Sequence, residues 1–114
     1  PCAIEVSIDV KPGSYPNAIN PMSRGVIPVA ILGSEDFSVQ DVDVDSLQFG
    51  PEGAVYVHYA FEYVNEDDFM DLIIHFKTQD TGVMQGDVEA CLVGTTLDDG
   101  TAIQGCDSIV TVPR

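Results

Sequence analysis

The densest cluster of oxygen ligands in the chain is Asn65-Glu66-Asp67-Asp68-Phe69-Met70-Asp71, which directly precedes an apolar strand from Leu72 to Phe76. Side-chain oxygens at alternate positions of a tight turn can converge on one hard cation, and Ca²⁺ takes six to eight such ligands. In a loop of the D-x-[DN]-x-D-G-x-x-D kind the ligands would fall at 63, 65, 67 and 71. Asn65, Asp67 and Asp71 fit that spacing, with Phe69 offering its carbonyl. Two positions depart from it: Tyr63 stands where an acid is expected, and Asp68 stands where glycine would permit the sharp turn. The segment therefore reads either as a degenerate Ca²⁺ loop or as an acidic β-turn without metal.

His58 and His75 are the two histidines, and both fall in the middle of strand-like segments. On neighbouring strands and one sheet surface they could hold a transition metal or act as a general base. Otherwise they are ordinary strand residues. Five of the nine aromatics, Tyr56, Tyr59, Phe61, Tyr63 and Phe69, lie close together between 56 and 69. Strict alternation puts Tyr59, Phe61 and Tyr63 on one face with Val55 and Val57, which reads as sandwich core. Tyr56, His58 and Glu62 then share the other face, and Tyr56 and His58 become candidate ligand-binding residues. There is no G-x-S-x-G, no phosphate-binding P-loop and no H-E-x-x-H. With 19 Asp and Glu, a pair at glycosidase spacing is expected by chance alone and carries little weight.

Cys91 and Cys106 bracket a hairpin whose turn lies in Asp98-Asp99-Gly100. If Asp98-Asp99 form the turn, Cys91 faces Cys106 and a disulfide follows. If Asp99-Gly100 form it, the favoured type I′ pair, Cys91 faces Ser108. In the first register Cys2 is left free or pairs elsewhere. No Cys/His spacing suggests zinc.

The strands that must position these groups are legible from alternation. Ile4, Val6, Ile8 and Val10 alternate with Glu5, Ser7 and Asp9. A long Pro-, Ser- and Asn-rich loop runs from Lys11 to Arg24. The apolar run from Gly25 to Leu32 contains Pro28, which predicts an edge strand or a bulge. The segment from Asp36 to Asp45 reads as loop with one short helical turn. Short strands are expected at 46–49, 54–64, 72–77, 88–96, 101–105 and 108–112. The result is a single domain over 1–114, an all-β antiparallel β-sandwich of about seven or eight strands.

The net charge of −15, with four Lys and Arg in 114 residues, argues against nucleic acid and against anionic membrane surfaces as partners. No stretch reaches the roughly 20 apolar residues of a membrane-spanning helix, so membrane insertion is not expected. No leader pattern is present, and Pro1 reads as a processing boundary.

The segments IDVKPGSYPNAIN (8–20), SRGVIPVAIL (23–32), Phe49-Gly50-Pro51, DLIIHFKTQDTG (71–82) and Gly105-Cys106-Asp107-Ser108-Ile109 together resemble an uncharacterised extracellular domain family of bacterial and archaeal secreted and surface proteins. The resemblance spans nearly the whole chain. It implies an exported accessory domain, often near anchoring or other β-rich modules, and implies no enzymatic activity. A glycan or a protein at the cell surface is the expected partner. Members carry a DVNGDG-like turn, which this chain replaces with Tyr63-Val64-Asn65-Glu66-Asp67-Asp68. Asn65, Asp67 and Asp71 match the Ca²⁺ ligands implied there, while Tyr63 and Asp68 do not. The expected function is a structural, adhesion or binding module, with Ca²⁺ as the ion expected to stabilise it. The alternatives are a carbohydrate-binding module and a small glycan-active hydrolase.

Overall fold

The computed structural model describes residues 4–12, 17–35, 37–63, 69–98 and 100–112. The fold is a β-sandwich of two four-stranded sheets. One holds β1 (Ile4–Glu5), β9 (Ala102–Ser108), β8 (Glu89–Thr96) and β5 (Val42–Phe49), in that order. The other holds β2 (Ile8–Val10), β4 (Val26–Ile31), β7 (Asp71–Lys77) and β6 (Tyr56–Glu62). A two-stranded ribbon of β3 (Ala18–Ile19) and β10 (Val110–Thr111) lies beside them. Most pairs are antiparallel, but β1 with β9 and β3 with β10 run parallel.

Alternation decides which side chains enter the core. Leu72, Ile74 and Phe76 on β7, Ile27, Val29 and Ile31 on β4, and Leu47 and Phe49 on β5 are all buried. Phe49 and Phe76 meet across the two sheets with stacked rings 5.3 Å apart between centroids. Burial of such side chains contributes roughly 1.5–3 kcal/mol each, the main force holding the layers together.

Three expectations from the sequence are revised. First, β4 is an interior strand, paired to β2 on one side and β7 on the other. Pro28 is tolerated because its carbonyl, and so the side of its missing N–H, turns toward the β2 edge, where Lys11 donates its N–H to Pro28 O at 2.7 Å. β2 ends at Val10, so the ladder loses no interior bond there. Second, the acidic stretch before Ser46 is not all loop. After a 3-10 turn at Val39–Asp41, β5 already begins at Val42 and absorbs a register shift between Asp43 and Gln48. Third, the stripe on β6 is not core. Tyr59 is 40% exposed and Phe61 39%, on a β6 that is an edge strand of its sheet.

Two of the sequence motifs meet in space. Buried Asn17 donates its side-chain N–H groups to Asp107 Oδ2 (2.9 Å) and to Ser108 O (2.8 Å). Val10 N–H donates to the same Asp107 oxygen at 2.9 Å. One carboxylate thus ties the end of β2 and the start of the β3 ribbon to β9, with its charge satisfied by donors. At Gly105 a Cβ would fall 2.4 Å from Val6 O, so only glycine lets β9 approach the β1–β2 segment this closely.

Candidate functional site

The site begins with a defect in the ladder of β6. The register shifts between Tyr56 and His58: Tyr56 pairs with Phe76, whereas His58 pairs with His75. The extra residue of this bulge, Val57, reverses the alternation, so Tyr56 turns to the side of the buried Phe76 and His58 turns to the opposite side with His75. Tyr56 and His58, grouped by simple alternation as one candidate ligand surface, are therefore on opposite faces. Tyr56 instead joins Tyr59 and Phe61.

These three rings form a ladder. Tyr56 and Tyr59 meet edge-to-face at 5.4 Å, and Tyr59 and Phe61 do so at 6.0 Å. Edge-to-face contact matches the positive edge of one ring to the negative face of the next and stiffens an otherwise exposed row. Tyr56 rests against the core and donates its hydroxyl to Asp45 Oδ1 at 2.9 Å. That hydrogen bond and the adjacent negative charge push the Tyr56 phenol above its usual 10.0. The bond also bridges the two sheets along their adjoining edges, β6 and β5.

Tyr59 and Phe61 form one wall of a shallow cleft of about 250 Å³, with Gln40, Val42, Asp43, Val44, Asp45 and Leu97 completing it. A second cleft, of about 280 Å³, contains Tyr63 and Phe69 with Ser34, Ser38 and Gln40. Gln40 lines both, and hydroxyl, amide and carboxylate groups stand beside the aromatic rings of the two clefts. The sequence placed the aromatics near one another but assigned Tyr59 and Phe61 to the core. It gave no role to Gln40, Asp43 or Asp45, which come from the preceding strand and turn.

Of the proposed Ca²⁺ ligands, Asn65 and Asp67 lie outside the described residues, as do Asp68 and Cys2. Phe69 is 39% exposed. Asp71 is fully buried and accepts the Gly33 N–H on Oδ1 at 2.8 Å. A Cβ on Gly33 would lie 2.1 Å from Met70 O, so the backbone around 33 and the backbone around 70 touch, with Asp71 fastening them. Asp71 thus has a structural task that does not depend on an ion.

Cys91 and Cys106 are joined in a disulfide, and their strands pair in the register that places them directly opposite each other. This is the register centred on Asp98-Asp99, and it sets the bridge on the outward side of the sheet, beside the buried pair Leu92 and Gly105. Glu89 lies close to both sulfurs, but sulfurs spent in a disulfide are not thiolate ligands.

No family model matches the chain, and the searches of curated proteins and of solved structures return no match either. The functional reading therefore stands on the site itself. No helix among the described residues is long and apolar enough to cross a membrane.

His58 and His75 are brought together on the outer face of their sheet, with ring centroids 5.3 Å apart. His75 Nδ1 is buried and has no hydrogen-bond partner.

Proposed function

We propose that the chain is a non-catalytic extracellular binding module that takes neutral oligosaccharide along the aromatic run of β6. The observation that carries this reading is the half-exposed ladder Tyr56–Tyr59–Phe61 beside Asp43, Asp45 and Gln40. The apolar C–H faces of a sugar ring stack on aromatic faces, while its hydroxyls need fixed acceptors and donors at the ring edge. Carboxylates and an amide supply those. An open cleft suits a chain that lies across the surface. The net charge of −15 favours an uncharged glycan over an acidic one.

The disulfide supports export to an oxidising compartment, where such bonds persist. The non-catalytic reading follows the resemblance to accessory domains, which implies no enzymatic activity. Burial raises the Asp9 carboxyl on β2, next to Asp107 and away from both clefts.

Affinity electrophoresis through gels containing neutral polysaccharides, backed by titration calorimetry with the matching oligosaccharides, tests the proposal. Retardation that disappears in Tyr59→Ala and Phe61→Ala is expected. Migration unaffected by every neutral glycan tried, or retardation that survives both substitutions, would sink it.

A further inference from the structure

We infer that His58 and His75 form a two-imidazole site for a divalent transition-metal ion of the Zn²⁺ or Ni²⁺ type on the outer face of the β2-β4-β7-β6 sheet. The site is separate from the aromatic cleft, because the bulge at Val57 sends His58 to the opposite side from Tyr56.

Three observations converge on it. The histidines are a directly opposed cross-strand pair, the relation in which two side chains on neighbouring strands approach most closely. Their ring centroids are 5.3 Å apart. Two imidazoles bound to one tetrahedral ion, with metal–nitrogen bonds of about 2.0–2.1 Å, hold their ring centres roughly 5 Å apart, so the rings already stand at chelating separation. Finally, His75 Nδ1 is buried without a hydrogen-bond partner. A buried polar atom left unmatched calls for a partner, and a bound ion would supply one. Across the sheet, the other neighbour of His75 is Pro28, which brings no polar side chain. Lys77, next along β7 on the same face, leaves the nitrogen unpaired as well.

The chemistry of the donors selects the ion. Imidazole nitrogen suits Zn²⁺, Ni²⁺ and Cu²⁺, whereas Ca²⁺ and Mg²⁺ prefer oxygen. His58 is exposed, so an ion can enter from solvent, and the remaining coordination positions stay open to water or to a donor from another molecule. The excess of negative charge draws cations toward the surface.

The test is calorimetric titration of the full chain with ZnCl₂, and separately NiCl₂, at neutral pH in a non-chelating buffer. Excess Ca²⁺ is kept present to occupy carboxylate-only sites. One ion per chain is expected. His58→Gln and His75→Gln should each weaken binding by roughly tenfold or more. The metal-free melting temperature of His58→Gln should be unchanged, since that side chain is exposed. In parallel, Zn²⁺ should shift the ¹⁵N imidazole resonances of both histidines in the wild-type chain. Absence of binding by the wild type, or binding by His58→Gln within about twofold of it, overturns the inference. His58→Gln decides the matter even if His75→Gln fails to fold.

Discussion

Tyr56 and His58 are two residues apart on one strand, yet they face opposite sides of their sheet, Tyr56 against Phe76 and Tyr59, His58 against His75. A single extra residue in the ladder produces this. It turns one strand into the wall of two unrelated surfaces, an aromatic cleft and a histidine pair.

The two surfaces should therefore respond independently to mutation. Tyr59→Ala and Phe61→Ala should remove glycan retention while shifting the melting temperature only slightly, because both rings are about 40% exposed. Tyr56→Ala should lower both, since this ring also packs on the core and ties β6 to β5 through Asp45. Tyr56→Phe keeps the ring but loses that tie. The spectrophotometric alkaline titration should lose one phenol with it, the one that Asp45 raises.

Reduction should cost stability without changing the fold. The Cys91–Cys106 bridge spans a sequence separation of 15. A loop of that size constrains the unfolded chain by about 3 kcal/mol in the chain-entropy account. The denaturation midpoint of the Cys91→Ser/Cys106→Ser double variant should fall accordingly, and reductant should lower the wild type to meet it.

Asp71 offers a way to separate structure from metal binding. Asp71→Ala leaves the buried Gly33 N–H without its acceptor, a loss of about 1–3 kcal/mol. Because that bond needs no ion, the destabilisation should be the same in Ca²⁺ and in chelator. Gly33→Ala should destabilise through the clash with Met70 O, again irrespective of Ca²⁺. If Ca²⁺ raised the melting temperature of the wild type but not of Asp71→Ala, a ligand role for Asp71 would stand beside the structural one.

Asp9 predicts a pH effect of definite sign. Burial, and secondarily the charge of Asp107, lift its carboxyl above 3.8. Folding therefore opposes ionisation of this group, and the penalty is fully present above the raised value. It fades as the pH falls through that value and is gone below 3.8, where the group is protonated folded or unfolded. Asp9→Asn should be more stable than the wild type at neutral pH. The difference should shrink on acidification, as measured by melting temperature across an acid series.

Much of the fold was legible because side-chain period follows directly from strand geometry. The buried row Leu72, Ile74, Phe76 read correctly from alternation, while the single strand read over Ile4–Val10 is split, with β1 in one sheet and β2 in the other. The all-β sandwich and the strand that carries Cys91 also read correctly, whereas the strand expected at 101–105 stopped short of Cys106, which lies within β9. The candidate site was harder to read. Alternation assumes an uninterrupted ladder, and the bulge at Val57 breaks that assumption without a glycine or proline to announce it. Exposure of Tyr59 and Phe61 could not be read either, since an apolar stripe looks the same on an edge strand as on an interior one.

The sequence by itself determined the local quantities: strand period, turn positions, the surplus of acid and the types of ligand atom available. Tertiary structure alone decided the relations between distant segments. It set Cys91 against Cys106, made β4 an interior strand despite Pro28, joined Asn17 to Asp107, and divided Tyr56 from His58. The physical reason is that register and edge position are fixed by which faces can be buried together. That choice is made over the whole sandwich at once and is not contained in any single strand.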